Sequence, residues 1–118
     1  MLVEVRGSTV PISEALEEHI LRKLDFALRK FADRIERVVV RLADLNGPKG
    51  GLDKRCRVEA RLFSRSQSLV VEAVDSDAYV AVSQAAARLD ERVARTLSKQ
   101  RVRLTASTTR GVLSERHG

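Results

Sequence analysis

The residues best suited to chemistry in this chain are cations at helical spacing. Arg88, Arg92, Arg95 and Lys99 follow one another at intervals of 4, 3 and 4, which sets them along one ridge of a helix. Arg101 and Arg103 extend the row. A second set, Arg22, Lys23, Arg29 and Lys30, shares one flank of an earlier helical segment whose acids, Glu14, Glu18 and Asp25, lie on the far side. Rows of this kind suit phosphate contacts, which give affinity by displacing counterions and read little sequence. They equally suit a solvated flank whose long aliphatic stems cover the edge of a core. Two segregated rows weigh toward a polyanion, because two such flanks packed side by side form one continuous basic surface. All of these residues are therefore candidate nucleic-acid contacts.

Other chemistry is sparse. His19 lies beside an apolar stripe and His117 near the end of the chain, so the two lack metal-ligand spacing. A satisfied structural role is expected for His19. Cys56 falls on the inward face of a strand and is expected to be inert core. Asp75 and Asp77 have the spacing of an acid/base pair, yet acids at a helix start are the default. Neither a nucleophile elbow nor a dinucleotide fingerprint occurs, and the glycine-rich stretch Asn46–Gly51 lacks the G-x-x-x-x-G-K-[ST] pattern of a phosphate loop. Its Lys49 reads as part of a hairpin connection. No catalytic residue, metal site or cofactor is expected, and no enzyme. A further patch, Arg55, Arg57 and Arg61 on the outer face of one strand, is interrupted by Glu59.

Composition agrees with this. The 118 residues suit one domain, with 43% apolar and 32% charged residues but only 3% aromatic and no Trp. The core must then be aliphatic, and aromatic base-stacking platforms are not expected. The net charge of +6 and a pI near 10.2 favour an acidic partner. An anionic membrane would satisfy the charge too, but no apolar run approaches the roughly 20 residues of a bilayer span. The N-terminus does not resemble a signal peptide, and a single Cys suits a reducing compartment. Cytoplasm is the expected location, with no small-molecule substrate and no membrane.

The elements that position the cations follow from periodicity. Leu2 to Arg6 alternates as a short strand ending at Gly7. Ser13, followed by Glu14, Glu17 and Glu18, opens a helix expected to reach Phe31 or Asp33, with Leu16, Ile20, Leu24, Ala27 and Phe31 inward. Glu36 to Asp44 and Ser68 to Val74 read as strands, and Lys54 to Phe63 alternates cleanly, with Cys56, Val58, Ala60 and Leu62 on one face. A second helix starts near Asp75 to Asp77 and is expected to end at about Gln100; its inward stripe is Ala78, Val82, Ala85, Ala86, Leu89, Val93 and Leu97. Residues 1–104 form the predicted domain and 105–118, rich in Ser, Thr and Gly, a disordered tail. The fold class is α+β, ordered β-α-β-β-β-α: a four-stranded, mostly antiparallel sheet with both helices packed on one face.

On this order, three stretches carry a family resemblance across about residues 2 to 101. They are Val10-Pro11-Ile12-Ser13-Glu14-Ala15-Leu16, Phe31-Ala32-Asp33-Arg34-Ile35 and Asp77-Ala78-Tyr79-Val80-Ala81-Val82. The chain resembles the ribosome hibernation-promoting factors and ribosome-associated inhibitors, also called sigma-54 modulation proteins. The resemblance implies a fold similar to double-stranded RNA-binding domains. It implies a partner, the rRNA of the small ribosomal subunit, bound between head and body over the mRNA and tRNA sites. Translation would be inhibited there by occupancy, under stress or in stationary phase. Lys23, Arg88 and Arg95 match basic positions of the family. Asp25-Phe26 and Asp90-Glu91 depart from it, and the loop Asn46 to Asp53 is longer. Ending without the family's C-terminal dimerisation domain, the chain resembles a short form. The rival expectations are a general duplex-RNA binder and a protein-binding regulator of a sigma factor.

Overall fold

The computed structural model describes residues 1–45, 53–64 and 68–113, those from 100 on as backbone alone. The chain runs β1 (Leu2–Gly7), α1 (Glu14–Leu28), a 3₁₀ helix (Arg29–Arg34), β2 (Ile35–Asp44), β3 (Lys54–Leu62), β4 (Ser68–Asp75) and α2 (Ala78–Leu113). The sheet order is β1-β2-β3-β4. β1 pairs parallel with β2, and the two remaining ladders are antiparallel. The α+β reading, its element order and its mostly antiparallel sheet are thus all found.

Local chemistry explains the boundaries. The Ser13 hydroxyl accepts from the Leu16 amide at 3.1 Å, satisfying one of the unpaired donors of the first turn of α1. At the entry to α2, the Asp77 carboxylate accepts from Tyr79 N at 2.8 Å, and Asp75 accepts from Asp77 N at 2.9 Å. Both aspartates serve the helix start, as expected. Gly7 lets the chain fold back after β1, since a Cβ there would stand 2.5 Å from the Val10 carbonyl oxygen and 2.9 Å from Ile12 Cγ1.

The core lies between the sheet and the helical layer. α1 contributes Leu16, Ile20, Leu24 and Leu28, and α2 contributes Ala81, Val82, Ala85, Ala86, Leu89, Val93 and Leu97. The inward residues of β3, Cys56, Val58, Ala60 and Leu62, are all at most 1% exposed. In β2, Glu36 and Arg37 are both exposed between buried Ile35 and Val38, a break in alternation that the ladder absorbs as a register shift between Ile35 and Arg37.

Two expectations need correction. α1 ends at Leu28, and the chain tightens into the 3₁₀ helix before reaching Phe31, so Leu28 takes the buried position while Ala27 and Phe31 pack only partly on the core. The second helix does not stop near Gln100 but continues to Leu113; residues 114–118 lie outside the described residues. At ~1.5 Å per residue α2 is about 54 Å long, and Leu97 is its last core-facing side chain described.

Candidate nucleic-acid interface

The candidate cations stand on the outer side of the helical layer. Arg22 and Lys23 are exposed on α1, Arg29 and Lys30 on the 3₁₀ helix that follows it, and Arg88, Arg92, Arg95 and Lys99 on α2. Arg101 and Arg103 are on the backbone of α2, but their side chains lie outside the described residues. Lys49, in the glycine-rich loop, does as well.

The rotational setting of α2 decides what these cations can touch together. Its α1-facing side carries Ser83, Ala86, Ala87 and Asp90, which with Lys23 and Phe26 of α1 and Lys30 of the 3₁₀ helix line an open groove of about 660 Å³. Arg88 points the other way, its guanidinium donating to the Glu72 carbonyl on β4. At ~100° per residue Arg88 and Asp90 are roughly 160° apart around the helix. The ridge Arg88, Arg92, Arg95, Lys99 therefore runs over the β4 side, on the flank remote from α1. The expected single continuous surface is corrected to two banks, with Asp90 in the groove and exposed Glu91 between them.

Pairing separates the cations further. Lys30 Nζ lies 3.4 Å from Asp90 and 5.2 Å from the Phe31 ring centroid, and Arg29 bonds Asp25 at 3.1 Å one turn earlier. Exposed pairs of this sort contribute about 0–1 kcal/mol each, so they mainly orient side chains. Among the described residues Arg22, Lys23, Arg88, Arg92, Arg95 and Lys99 form no ion pair. The α2 ridge is accordingly the longest row of cations with no carboxylate partner.

The open face of the sheet behaves differently. Register aligns Arg6, Arg41 and Arg57 across three strands and Arg37 beside Arg61. Carboxylates lace this row: Glu4 bonds Arg6 and Arg37, Arg41 is 3.6 Å from Glu59, Arg55 is 3.8 Å from Glu72, and Arg61 is 3.8 Å from Glu36. The hydrogen bond from Arg37, joined by that from Arg6, holds the Glu4 carboxyl below its usual range. Of the sequence-predicted outer patch, only Arg57 lacks an ion pair among the described residues. Sequence reading missed the contribution of Arg6 and the cross-strand alignment, which depends on register.

The remaining titratable candidates are structural. His19 Nε2 donates to the Tyr79 carbonyl at 3.0 Å, with Ser83 Oγ at 3.2 Å, and its ring meets Tyr79 edge-on at 4.9 Å. The imidazole thus ties α1 to the first turn of α2. Cys56 is fully buried, and desolvation pushes its thiol up to about 12. Among the described residues no group of three or more His, Cys, Asp or Glu is placed to hold a metal, and no helix is long and apolar enough to cross a membrane.

A half-covered four-stranded sheet, carrying two helices and an unpaired cationic ridge on the longer one, defines a small basic binding domain. The comparisons make that class specific. The model of the family described as sigma 54 modulation protein / S30EA ribosomal protein matches residues 3–101, and the chain belongs to this ribosome-associated family. It is similar to the N-terminal domain of Protein Y from Thermus thermophilus, at 26% identity and a TM-score of 0.65, over 81% of this chain and 99% of that one. It shares its fold with a ribosomal subunit interface protein from Coxiella burnetii, at 21% identity and a TM-score of 0.70, over 83% of this chain and 99% of that one. No curated protein matches the chain.

Proposed function

We propose that the protein is a cytoplasmic translation inhibitor that binds the small ribosomal subunit between head and body and blocks the mRNA and tRNA sites under stress. The observation that carries this reading is the α2 ridge. Four exposed cations in a row, none with a carboxylate partner among the described residues, stand on a chain of a ribosome-associated family. They supply electrostatic affinity for an rRNA backbone, while the α1 bank and the shape of the helical layer orient the domain. Inhibition then requires occupancy alone and no chemical step.

The experiment is sedimentation of cell lysate through a sucrose gradient, with the protein detected in each fraction. Co-migration with small subunits that is lost at high salt supports the proposal. Migration with a protein complex that survives nuclease treatment would overturn it in favour of a protein-binding regulator. In a purified translation system the reading requires inhibition that tracks the molar ratio of protein to ribosome and weakens when mRNA and initiator tRNA are bound first.

A further inference from the structure

Phe26 is the most exposed aromatic residue described, at 77%, in a chain with three Phe, one Tyr and no Trp. Its place is not a random surface position. It lines the α1/α2 groove together with Lys23 and Lys30, and faces walls of small side chains, Ala86 and Ala87, with Asp90 beside them. About 660 Å³ lies within the range of roughly 300–1,000 Å³ typical of clefts that hold small organic groups.

We propose that this groove takes one unpaired RNA base, stacked on the Phe26 ring, with its phosphate on Lys23. The inference deepens the ribosome reading and rests on it for the source of the RNA. Lys23 and Phe26 are three residues apart, so their Cβ atoms are about 5–6 Å from each other on one helix face, comparable to the reach from a nucleotide's phosphate to its own base. Lys23 has no ion pair among the described residues and is free to take a phosphate. The Oδ1 atom of Asp90 is shielded from solvent and, among the described residues, makes no hydrogen bond, its contact being the ion pair with Lys30 at 3.4 Å; a base bearing an amino group reaches that acceptor only when Lys30 swings aside. An apolar protein helix suits the groove less well. Such a helix anchors through several apolar residues at successive turns, whereas this groove offers one ring among alanines and cations.

The absence of Trp makes the test direct. Phe26→Trp introduces a single indole whose emission reports stacking, and thermal melts should show the fold unchanged because the side chain is exposed. The full-length variant is titrated with small subunits and, separately, with a short single-stranded RNA of A and C that cannot self-pair. Quenching is expected in both. Phe26→Ala should weaken subunit binding about 5- to 150-fold, the range for loss of one stacked base. Phe26→Leu should lose most of the same factor, and Phe26→Tyr should retain affinity. Full affinity in Phe26→Ala, or an unquenched indole on subunits to which the variant demonstrably sediments, overturns the proposal. Full affinity in Phe26→Leu with loss in Phe26→Ala overturns it too, and assigns the groove to an apolar protein segment. If the wild-type chain fails to bind subunits, the ribosome reading falls, and quenching by the single-stranded RNA then decides the groove by itself.

Discussion

Replacing Arg92 and Arg95 together by glutamine removes two adjacent cations from the middle of the α2 ridge while leaving the helix its propensity. Each phosphate contact contributes roughly 0.7 to 0.9 to the slope of log K against log salt. The four described ridge residues therefore account for about 3 to 4 of that slope, and the double variant should lower it by about 1.4 to 1.8. Extrapolated from 1 M to 0.1 M salt, the same two contacts amount to roughly 25- to 60-fold in affinity. Both side chains are exposed and without an ion-pair partner among the described residues, so stability should change by no more than about 0.5 kcal/mol. The assay is binding to purified small subunits across a salt series, alongside thermal melts. Arg57→Gln supplies a control of the same chemistry on the open sheet face, where the full slope should persist. An unchanged slope in Arg92→Gln/Arg95→Gln, or an equal loss in the control, would refute the assignment of phosphate contacts to the helical layer. A collapsed melting temperature would instead show that the two arginines are structural.

Gly7→Ala should cost about 1–3 kcal/mol in chemical denaturation, because its Cβ would overlap the Val10 carbonyl oxygen and that backbone has to shift; a neutral outcome would mean the turn after β1 relaxes freely. Cys56 should resist a thiol reagent at neutral pH and label only at the rate of unfolding, since burial keeps it protonated up to about 12; rapid labelling of the native protein would contradict its place in the core. Acid should weaken the β1/β2 edge: Glu4 is held below its usual range chiefly by Arg37, so its contribution is present above the ordinary carboxylate value and lost as pH falls through the depressed one. Glu4→Gln should flatten that acid limb of a stability-against-pH curve. Deleting residues 105–118 should leave the melting temperature nearly unchanged, as the last core-facing side chain described is Leu97; a large loss would show that this segment docks.

How far the residues announced this architecture depends on whether the deciding interaction is local. The alternation in β3 and the stripe on α2 are local patterns, and both lead to the observed buried sets, except that Ala81 and Thr96 are buried outside the expected stripe and Ala78 within it is half-buried. The capping roles of Ser13, Asp75 and Asp77 are local too. The early end of α1 is less visible, because Lys30-Phe31-Ala32-Asp33 contains no helix breaker and the 3₁₀ tightening serves the approach to β2. The extension of α2 past Gln100 was obscured by a Ser- and Thr-rich composition that disfavours a helix without forbidding one. The arrangement of the cations was the least legible. A helical wheel shows that Arg88 and Asp90 occupy opposite flanks, but only the position of α1 tells which flank becomes a groove.

That arrangement gives the ridge residues unequal roles. Arg88 heads the row, yet its guanidinium is already engaged with the Glu72 carbonyl on β4, the strand at the edge of the sheet. An edge strand presents main-chain groups that invite pairing with another chain, and a guanidinium from α2 covers part of that edge. Arg88 can meet a phosphate only by sharing or leaving this bond, so its substitution perturbs fold and interface together. Arg92 and Arg95, one and two turns further on, carry no such bond among the described residues, and neither does Lys99. A loss of binding in an Arg88 variant would therefore be ambiguous between the two effects, whereas the same loss in Arg92 and Arg95 reads on the interface alone.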